Sequence, residues 1–331
     1  MDSIIRKHLT ERLHLGDLQN HKELSVVPLF CTETGGPDYV TLKEALADGS
    51  LTISEVSEGG SVPELKVINS GANNVLMLDG EELAGAKQNR VLNTTILIAA
   101  GSSALIPVSC TEQGRWSYRS AHFEDSNVSM SPSLRSRKNA SVSFSLNESR
   151  GYRSDQGAVW ESIEELHSSH RTSSGTGAMK DAYEARREDL SAYQDAFPCL
   201  DGQSGMAVLI KGRVAGIEMV SRPLAYQQLH AKLLNSYAMD IPQAPAGQSP
   251  AAIEKVRKIL ERMMEAEEKR FQSVGRGEDC RYTARGLLGS GLLVDEWFVH
   301  MAFFRTNERH RSRTTEERMA PMSHRRASRA L

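Results

Sequence analysis

The amino-acid sequence predicts an α+β fold, in which an N-terminal antiparallel β-sandwich or open barrel packs against helices from the second half of the chain. Between residues 24 and 118, short runs of β-branched and apolar residues alternate with turns that contain Gly and Asn, which is typical of antiparallel sheets. From residue 156 onward, longer stretches carry apolar residues at helical spacing. The length of 331 residues allows two domains, or one large domain with a helical annex.

The β-rich region, residues 1–125, holds both of the motifs discussed below. It begins with a short helix predicted over 4–15, and a second short helix is predicted over 41–48, whose core is Leu-Lys-Glu-Ala-Leu-Ala. Turn residues separate the remaining segments. These segments are predicted strands, at 24–31, 51–56, 64–69, 75–78, 93–99, 104–110 and 115–118.

The middle of the chain is predicted to contain one long loop and then three helices. Residues 126–154 are rich in Ser, Asn and Arg and have almost no large aliphatic side chains, which predicts a surface loop. Residues 155–240 are predicted to complete the same domain as the β-rich region. Their elements are helices at 156–169, 177–197 and 224–239 and a β-hairpin at 206–220.

The C-terminal part is predicted to begin with a linker over 241–250, where three prolines occur. Residues 251–304 then comprise an amphipathic helix over 251–274 and a strand pair. From residue 306 onward, seven arginines and two histidines lie among Ser, Thr and Glu, a composition that cannot bury enough apolar surface to fold. We therefore expect a disordered Arg-rich tail over 305–331, and any nucleic-acid contact is expected there.

Composition and charge exclude several classes of protein. The formal net charge of −2 gives no general case for binding nucleic acid. The apolar runs are too short to cross a bilayer, and the first residues lack the apolar core of a secretory signal. The four cysteines are far apart and form no C-x-x-C pair, so neither disulfides nor a metal site is predicted. We expect a soluble cytoplasmic protein without a membrane partner, and no cofactor is assigned.

The first motif, Gly-Glu-Glu-Leu-Ala-Gly-Ala-Lys-Gln-Asn-Arg at residues 80–90, places many polar groups between two apolar runs. Charged and amide groups are costly to bury unless they are paired, so this density indicates a polar site or a heavily hydrogen-bonded turn. As a ligand site, Lys87 and Arg90 would bind phosphate. Gln88, Asn89 and Asn93 would bind hydroxyl or amide groups of the same ligand.

The first motif is close to a phosphate-binding P-loop but departs from it. One residue separates the second glycine from Lys87, and Gln88 stands where the magnesium-binding hydroxyl is required. The residues that follow, 91–98, are β-branched and predict a strand, whereas a P-loop is followed by a helix. These three departures exclude a P-loop nucleoside triphosphatase.

The second motif, Ile-Pro-Val-Ser-Cys-Thr-Glu-Gln-Gly-Arg-Trp, spans residues 106–116. Arg115 and Trp116 form a candidate ligand-facing pair, because a guanidinium and an indole can hold a base or a carboxylate between them. Cys110 has two interpretations. A nearby guanidinium would stabilise its thiolate as a nucleophile, whereas free cysteines are among the most commonly buried residues.

The carboxylates of the two motifs are the candidate catalytic groups. Glu81, Glu82 or Glu112 would act as general acid or base on a bound ligand. The alternative is structural: Glu81 and Glu82 would pair with Lys87 and Arg90 and fasten a crossing of two strands. The sequence leaves both interpretations open.

Together the two motifs resemble the signature of a prokaryotic family, the ARG and rhodanese-phosphatase-superfamily-associated proteins, where ARG denotes ADP-ribosylglycohydrolase. The resemblance runs from about residue 14 to residue 237, and residues 205–220 and 233–237 form its later blocks. The family is named for its genomic association with enzymes of ADP-ribose and phosphate esters. The resemblance therefore implies processing or sensing of NAD-derived nucleotides, and it assigns no catalytic role to any residue.

Three functions are consistent with these observations. An enzyme would process an NAD-derived or ADP-ribose-like phosphorylated nucleotide in a pocket formed by the two motifs. A binding module would sense such a small-molecule nucleotide without turning it over and would act through partner proteins. A structural protein would use the motifs to lock two sheets together, and the helix at 251–274 would mediate assembly. The two ligand-binding functions are the favoured expectation.

Overall fold

The computed structural model describes residues 4–33, 35–57, 63–241 and 249–306. Within these ranges the chain forms eight α-helices and eighteen strands. The helices are α1 (Ile4–Lys7, continued by a π-helical turn at His8–Arg12), α2 (Leu42–Ala47), α3 (Pro132–Asn147), α4 (Gln156–His170), α5 (Met179–Glu184), α6 (Arg187–Ala196), α7 (Pro223–Ala238) and α8 (Ile253–Met264). The strands are β1 (Leu13–Leu15), β2 (Gln19–His21), β3 (Leu24–Cys31), β4 (Tyr39–Thr41), β5 (Leu51–Glu55), β6 (Glu64–Asn69), β7 (Asn74–Met77), β8 (Glu81–Gly85), β9 (Arg90–Leu92), β10 (Ile96–Ile98), β11 (Ser102–Cys110), β12 (Phe123–Ser129), β13 (Gln203–Ile210), β14 (Arg213–Val220), β15 (Glu267–Gln272), β16 (Glu278–Ala284), β17 (Leu287–Val294) and β18 (Trp297–Arg305).

The largest sheet has nine strands and joins both ends of the described chain. Its order is β1-β3-β13-β14-β18-β17-β16-β15, with β2 also paired to β3, and every pairing is antiparallel. Strand β14 pairs with β18 from Gly216 opposite Phe304 to Val220 opposite His300. The strands after residue 264 therefore belong to the same sheet as the hairpin β13–β14.

The prediction for residues 251–304 is wrong in two respects. The amphipathic helix ends at Met264 instead of near 274, and four strands follow where one pair was predicted. The missed strand β15 is built largely from charged residues, which are common in helices and depleted in strands. It forms an edge of the sheet, where Arg270 donates to Glu268 at 2.6 Å and to Glu278 of β16 at 3.1 Å. Ion pairs at this edge thus take the place of the alternating apolar and polar residues by which the other strands were predicted.

Two smaller sheets form the N-terminal β region. One has the order β12-β8-β9-β11-β6-β5, and the other, β10-β7-β4, contains the parallel pair β4–β7. Their apolar side chains meet in a core that includes Ile53, Leu65, Met77, Leu92 and Ile106. The predicted α+β fold, with a largely antiparallel N-terminal β region and helices from the second half packed on it, is confirmed. The predicted strand at 115–118 is wrong, since no strand forms there.

The predicted surface loop at 126–154 is also wrong. After β12, most of this segment is the helix α3, which has sixteen residues. The sequence lacks large aliphatic residues because the buried face of α3 carries Arg135, Lys138 and Asn139, which are 0 %, 2 % and 1 % exposed. These side chains bond to the carboxylates of Asp79 and Glu218. The polar side chains that suggested an exposed loop are therefore hydrogen-bonded or ion-paired inside the protein.

Strands at the centre of the molecule are covered on both faces. In β3, Val26 packs into the core shared with helices α4 to α7, while Val27 packs into the core beneath α1 and α8. In the smaller sheet, Val91 of β9 faces the helical core and its neighbour Leu92 faces the N-terminal core. Polar residues on β8 and β9 are consequently buried whichever way they point.

Two predicted segments fall largely outside the described residues. They are the linker at 241–250, of which 242–248 are not described, and the Arg-rich tail at 305–331, of which 307–331 are not described. Among the helices in the described ranges, none has the length and apolar character needed to cross a bilayer.

Candidate functional site

The two motifs lie on neighbouring strands. The first forms β8, a turn and β9, and the second forms the end of β11 and the turn that follows it. Strand β9 lies between the others, so that Arg90 is opposite Leu83 of β8 and Cys110 of β11. The register of these three strands therefore brings the two motifs together in space.

Alternation along these strands separates the motif residues into two faces. Leu83, Arg90 and Cys110 share one face, and Glu82, Val91 and Ser109 share the opposite face. Because Leu83 packs in the N-terminal core and Val91 in the helical core, the carboxylate of Glu82 and the guanidinium of Arg90 point to opposite sides of the sheet.

The turn at the start of the first motif depends on a glycine. Gly80 has a φ of +87°, a left-handed conformation that favours glycine. A Cβ atom there would also lie 2.7 Å from Cδ of Arg135. Gly80 thus allows helix α3 to approach the first motif closely.

A buried ion pair connects the second motif to the first. Arg115 lies with Nε 2.8 Å and Nη2 2.6 Å from Oε2 of Glu112, and its guanidinium also donates to the carbonyl oxygen of Ala86 at 2.7 Å and to Oδ1 of Asn89 at 3.2 Å. Thr176 donates to the other carboxylate oxygen of Glu112 at 2.8 Å. Burial alone would raise the pKa of Glu112, but the bonds from Arg115 and Thr176 hold it below its usual value. These contacts give Glu112, Asn89 and Arg115 bonds within the protein.

A cluster of cations and exposed aromatic rings lies beside this ion pair. Trp116 and Tyr118 are 49 % and 54 % exposed, which is unusual for large rings. Nζ of Lys87 lies 5.4 Å from the centroid of the Trp116 ring and 5.1 Å from that of Tyr118, and Cζ of Arg90 lies 5.7 Å from the Trp116 centroid. We call Lys87, Arg90, Trp116 and Tyr118 the cation–aromatic cluster. It combines ring faces for stacking with charges that suit phosphate.

Arg90 is the buried member of the cation–aromatic cluster. Its Nη1 donates to Oε1 of Gln88 at 3.0 Å, and its Nη2 lies 3.6 Å from Oε1 of Glu55, beyond hydrogen-bonding distance. Within the part of the chain that the structure describes, Nε and Nη2 of Arg90, both carboxylate oxygens of Glu55 and Nδ2 of Asn89 make no hydrogen bond. Arg90 and Glu55 thus form a buried ion pair at a distance longer than a hydrogen bond, and the guanidinium charge lies beneath the Trp116 ring.

Glu81 belongs to a different ion cluster. Its Oε1 lies 2.7 Å from Nζ of Lys232 on α7, and the same ammonium lies 2.7 Å from Oδ1 of Asp125. Its Oε2 accepts a hydrogen bond of 2.7 Å from the backbone N–H of Leu78. Burial raises the pKa of Glu81 against the opposing effect of Lys232. The structural alternative, in which Glu81 pairs with Lys87 or Arg90, is therefore wrong about the partner.

Glu82 is the least satisfied of the three predicted carboxylates. Its Oε1 accepts a hydrogen bond of 2.6 Å from Thr111, and among the described residues its Oε2 makes none. Burial raises the pKa of Glu82 to about 7. A buried carboxyl group that titrates near neutrality has the property required of a general acid or base. No group of three or more His, Cys, Asp or Glu side chains able to hold a metal ion occurs in the described ranges.

The remaining motif residues form structural contacts. Nδ2 of Asn93 donates to the carbonyl oxygen of Tyr152 at 2.9 Å, and Oδ1 of Asn93 accepts a bond of 2.7 Å from Ser109. The backbone of Cys110 is bonded on both sides by the side-chain amide of Gln156, at 2.7 and 2.9 Å. Burial raises the pKa of the Cys110 thiol, which makes its thiolate scarce and favours the interpretation as a buried thiol.

A buried charge network behind the first motif was not predicted. Arg135 of α3 donates to both carboxylate oxygens of Glu218 on β14, at 2.9 and 2.7 Å, and Nε2 of His300 lies 3.1 Å from Glu218 Oε1. Lys138 forms an ion pair with Asp79, the residue before Gly80-Glu81, and its Nζ lies 2.8 Å from the carbonyl oxygen of Leu92. Burial lowers the pKa of Lys138 to about 8. Spacing is the one sequence signal of this network, since Arg135, Lys138 and Asn139 share one helical face at i, i+3 and i+4.

Comparison with known proteins extends the family resemblance. The model of one family, described as the ARG and Rhodanese-Phosphatase-superfamily-associated Protein domain, matches residues 12–304. The match includes strands β15 to β18, which lie beyond residue 237, where the resemblance was expected to end. No curated protein and no solved structure matches the chain. The family predicted from the two motifs is confirmed.

Proposed function

This chain belongs to the ARG and Rhodanese-Phosphatase-superfamily-associated Protein family, and we propose that it binds an NAD-derived, ADP-ribose-like phosphorylated nucleotide at the cation–aromatic cluster. The family name links the domain to proteins of ADP-ribose and phosphate-ester chemistry. The chemistry of the cluster fits such a ligand, which combines a planar base with a pyrophosphate.

The observation that carries this proposal is the exposure of Trp116 and Tyr118 around a lysine. Stacking of one nucleobase on an aromatic side chain contributes roughly 1–3 kcal/mol to binding. Nζ of Lys87 lies near both rings, and the guanidinium of Arg90, which is bonded to Gln88 and paired with Glu55, lies against Trp116. A base stacked on Trp116 would therefore place its phosphates near Lys87, with the buried charge of Arg90 beneath the same ring.

Binding is better supported than turnover by the positions of the carboxylates. Glu81 is paired with Lys232, and Glu112 is paired with Arg115. Glu82 lies on the face of the sheet opposite to Arg90. None of the three predicted carboxylates is therefore both unpaired and on the side of β9 where a ligand of the cluster would lie.

Turnover is the second candidate function, and one observation favours it. Glu82 has a pKa of about 7 and a carboxylate oxygen without a hydrogen bond among the described residues. If a ligand reaches this face from the helical side, Glu82 would serve as the acid or base. A hydrolytic reaction on an ADP-ribose-like ligand would then agree with the family name.

Thermal unfolding in the presence of ADP-ribose tests the binding proposal. A ligand at 100 times its dissociation constant stabilises a protein by about 2.7 kcal/mol, so the Tm of the unaltered protein should rise. Without ligand, the variants Trp116→Ala and Lys87→Ala should have nearly the same Tm as the unaltered protein. With ADP-ribose, they should lose most of the rise in Tm. Lys43→Ala, which alters an exposed lysine of α2, is the matched control and should keep it.

The result that would contradict binding is an unaltered protein whose Tm does not respond to ADP-ribose, or an equal shift in Trp116→Ala. Turnover is tested separately by chromatography of ADP-ribose after incubation with the protein. If Glu82 is the acid or base, Glu82→Gln should keep the thermal shift and form no product. Equal product formation by Glu82→Gln would exclude this role.

A further inference from the structure

A basic groove lies far along the chain from the two motifs, where helix α8 meets the large sheet. Its walls are the β13–β14 turn, one side of α8, the β16–β17 turn and the end of β18. Its volume is about 1000 Å³. None of its lining residues belongs to the cation–aromatic cluster, so the groove is a separate feature of the molecule.

The charged side chains that line the groove are mostly positive. Among the residues that the structure describes, its one carboxylate is Glu265, and its six cationic side chains are Arg213, Lys255, Lys258, Arg262, Arg285 and Arg305. Nζ of Lys255 donates to the carbonyl oxygen of Gly212 at 2.7 Å and to that of Pro250 at 2.6 Å, so this lysine also fixes the start of α8 against the hairpin. The other five cationic residues are exposed.

The segments that adjoin the groove in the sequence carry little negative charge. Residues 242–248 contain no charged side chain, and residues 307–331 contain seven arginines against three glutamates. Like charges gathered around one groove repel each other unless counter-charge is supplied. The groove therefore carries an excess of positive charge that salt anions screen and that a polyanionic ligand would displace, even though the whole chain has a formal net charge of −2.

The shape and chemistry of the groove indicate which kind of anion it fits. Small-molecule sites are enclosed and mostly apolar, with a few polar groups, whereas this groove is open and its charged walls are exposed. None of its described lining residues is aromatic, so these residues offer no surface on which a base would stack. Cations from four different elements along an open groove suit an extended row of phosphates.

We propose that this groove binds the phosphodiester backbone of a nucleic acid without reading its base sequence. The contacts are ionic, from the exposed cationic side chains of the lining, which are Arg213, Lys258, Arg262, Arg285 and Arg305. Each phosphate that such a side chain neutralises releases a counterion, so affinity falls steeply with salt. This inference is independent of nucleotide binding at the cation–aromatic cluster.

Fluorescence anisotropy with labelled nucleic acid tests the proposal on the full chain. The probes are a mixed-sequence single-stranded RNA and a duplex DNA, titrated at several salt concentrations. In Lys258→Glu/Arg262→Glu, we expect affinity to fall at least about tenfold, and the slope of log Kd against log salt to decrease by about 0.7–0.9 for each lost phosphate contact. The two probes show which nucleic acid the groove prefers.

The matched control changes the total charge equally but leaves the groove intact. Arg257 is exposed on α8 without lining the groove, and Lys66 is exposed on β6, so Arg257→Glu/Lys66→Glu should retain the affinity and the salt slope. If the charge reversal at 258 and 262 unfolds the protein, Lys258→Gln/Arg262→Gln gives the same comparison. Every variant keeps residues 307–331, so their arginines contribute equally to all of them.

Two results would overturn the proposal. One is an unaltered protein that binds neither probe at low salt. The other is equal weakening by the groove variant and the control, which would assign binding to net charge or to the residues after Thr306.

Discussion

Nη2 of Arg115 lies 2.6 Å from Oε2 of Glu112, and the two side chains are 6 % and 1 % exposed. The same guanidinium donates to Ala86 and Asn89 in the first motif. Two segments that are separated in the sequence are therefore fastened by one arginine. This contact positions Trp116, the next residue, beside Lys87.

Removal of Arg115 should destabilise the protein strongly. Arg115→Met preserves much of the side-chain volume but leaves the carboxylate of Glu112 buried without its cation, and breaking a buried pair in this way costs about 3–5 kcal/mol. Urea unfolding monitored by circular dichroism measures the difference. Arg119→Met, at an exposed site in the same turn, should change stability by no more than about 0.5 kcal/mol. A loss below about 1 kcal/mol in Arg115→Met would contradict the structural role of this pair.

The stability of the protein should depend on the titration of Glu82. Burial raises its pKa to about 7, so between the usual glutamate value and about pH 7 the folded protein holds a proton that the unfolded chain has released. The free energy of unfolding therefore falls as the pH rises through this window and stays low above it. Glu82→Gln should remove this loss and be more stable than the unaltered protein at about pH 8, by up to about 3 kcal/mol.

The measurement is urea unfolding of both proteins across the pH range from about 4.5 to about 8. The difference between the two proteins isolates Glu82, because the other buried acids, Glu81, Asp240 and Asp279, are present in both. A difference in stability that does not change with pH would show that Glu82 has no raised pKa.

Helix α3 should be held in place by the ion pair between Lys138 and Asp79. Lys138→Met and Asp79→Asn should each be strongly destabilising, because each leaves a buried charge without one of its partners. The double variant should lose less than the sum of the two, with a coupling energy of about 0.5–3 kcal/mol. Unfolding of the four proteins in urea gives this energy.

The same helix provides the control for this cycle. Arg137 and Glu165 form an ion pair whose side chains are 34 % and 54 % exposed. Exposed pairs contribute about 0–1 kcal/mol, so the corresponding cycle should give a small coupling. Equal coupling in both cycles would mean that burial does not strengthen the Lys138–Asp79 pair.

The sequence predicted those features that depend on local patterns. Alternation of apolar and polar residues is a local property, so the strands β3, β5, β6 and β11 lie close to where they were predicted. The meeting of the two motifs followed from their position on short strands close together in the sequence. The sequence could not show that Glu82 and Arg90 point to opposite faces, since this depends on the register of β8 with β9.

The features that were missed depend on partners distant in the sequence. Glu81 is bonded to Lys232, 151 residues later, and Arg135 is bonded to Glu218, 83 residues later. Without these partners, a segment such as 126–154 has the composition of a solvated loop. Tyr118 was not predicted as a member of the cation–aromatic cluster, because its position beside Lys87 results from the turn that Arg115 holds, and no repeat or spacing indicates it.

Calorimetric titration of ADP-ribose into the unaltered protein and into Trp116→Ala tests the central claim most directly. Leu224→Ala, which removes an exposed apolar side chain on α7, serves as the control. We predict a single site in the unaltered protein, unchanged affinity in the control, and a Kd weakened about 5- to 150-fold in Trp116→Ala, which corresponds to the loss of one stacking contact. An unchanged Kd in Trp116→Ala, or no binding by the unaltered protein, would contradict the assignment of the cation–aromatic cluster as a nucleotide site.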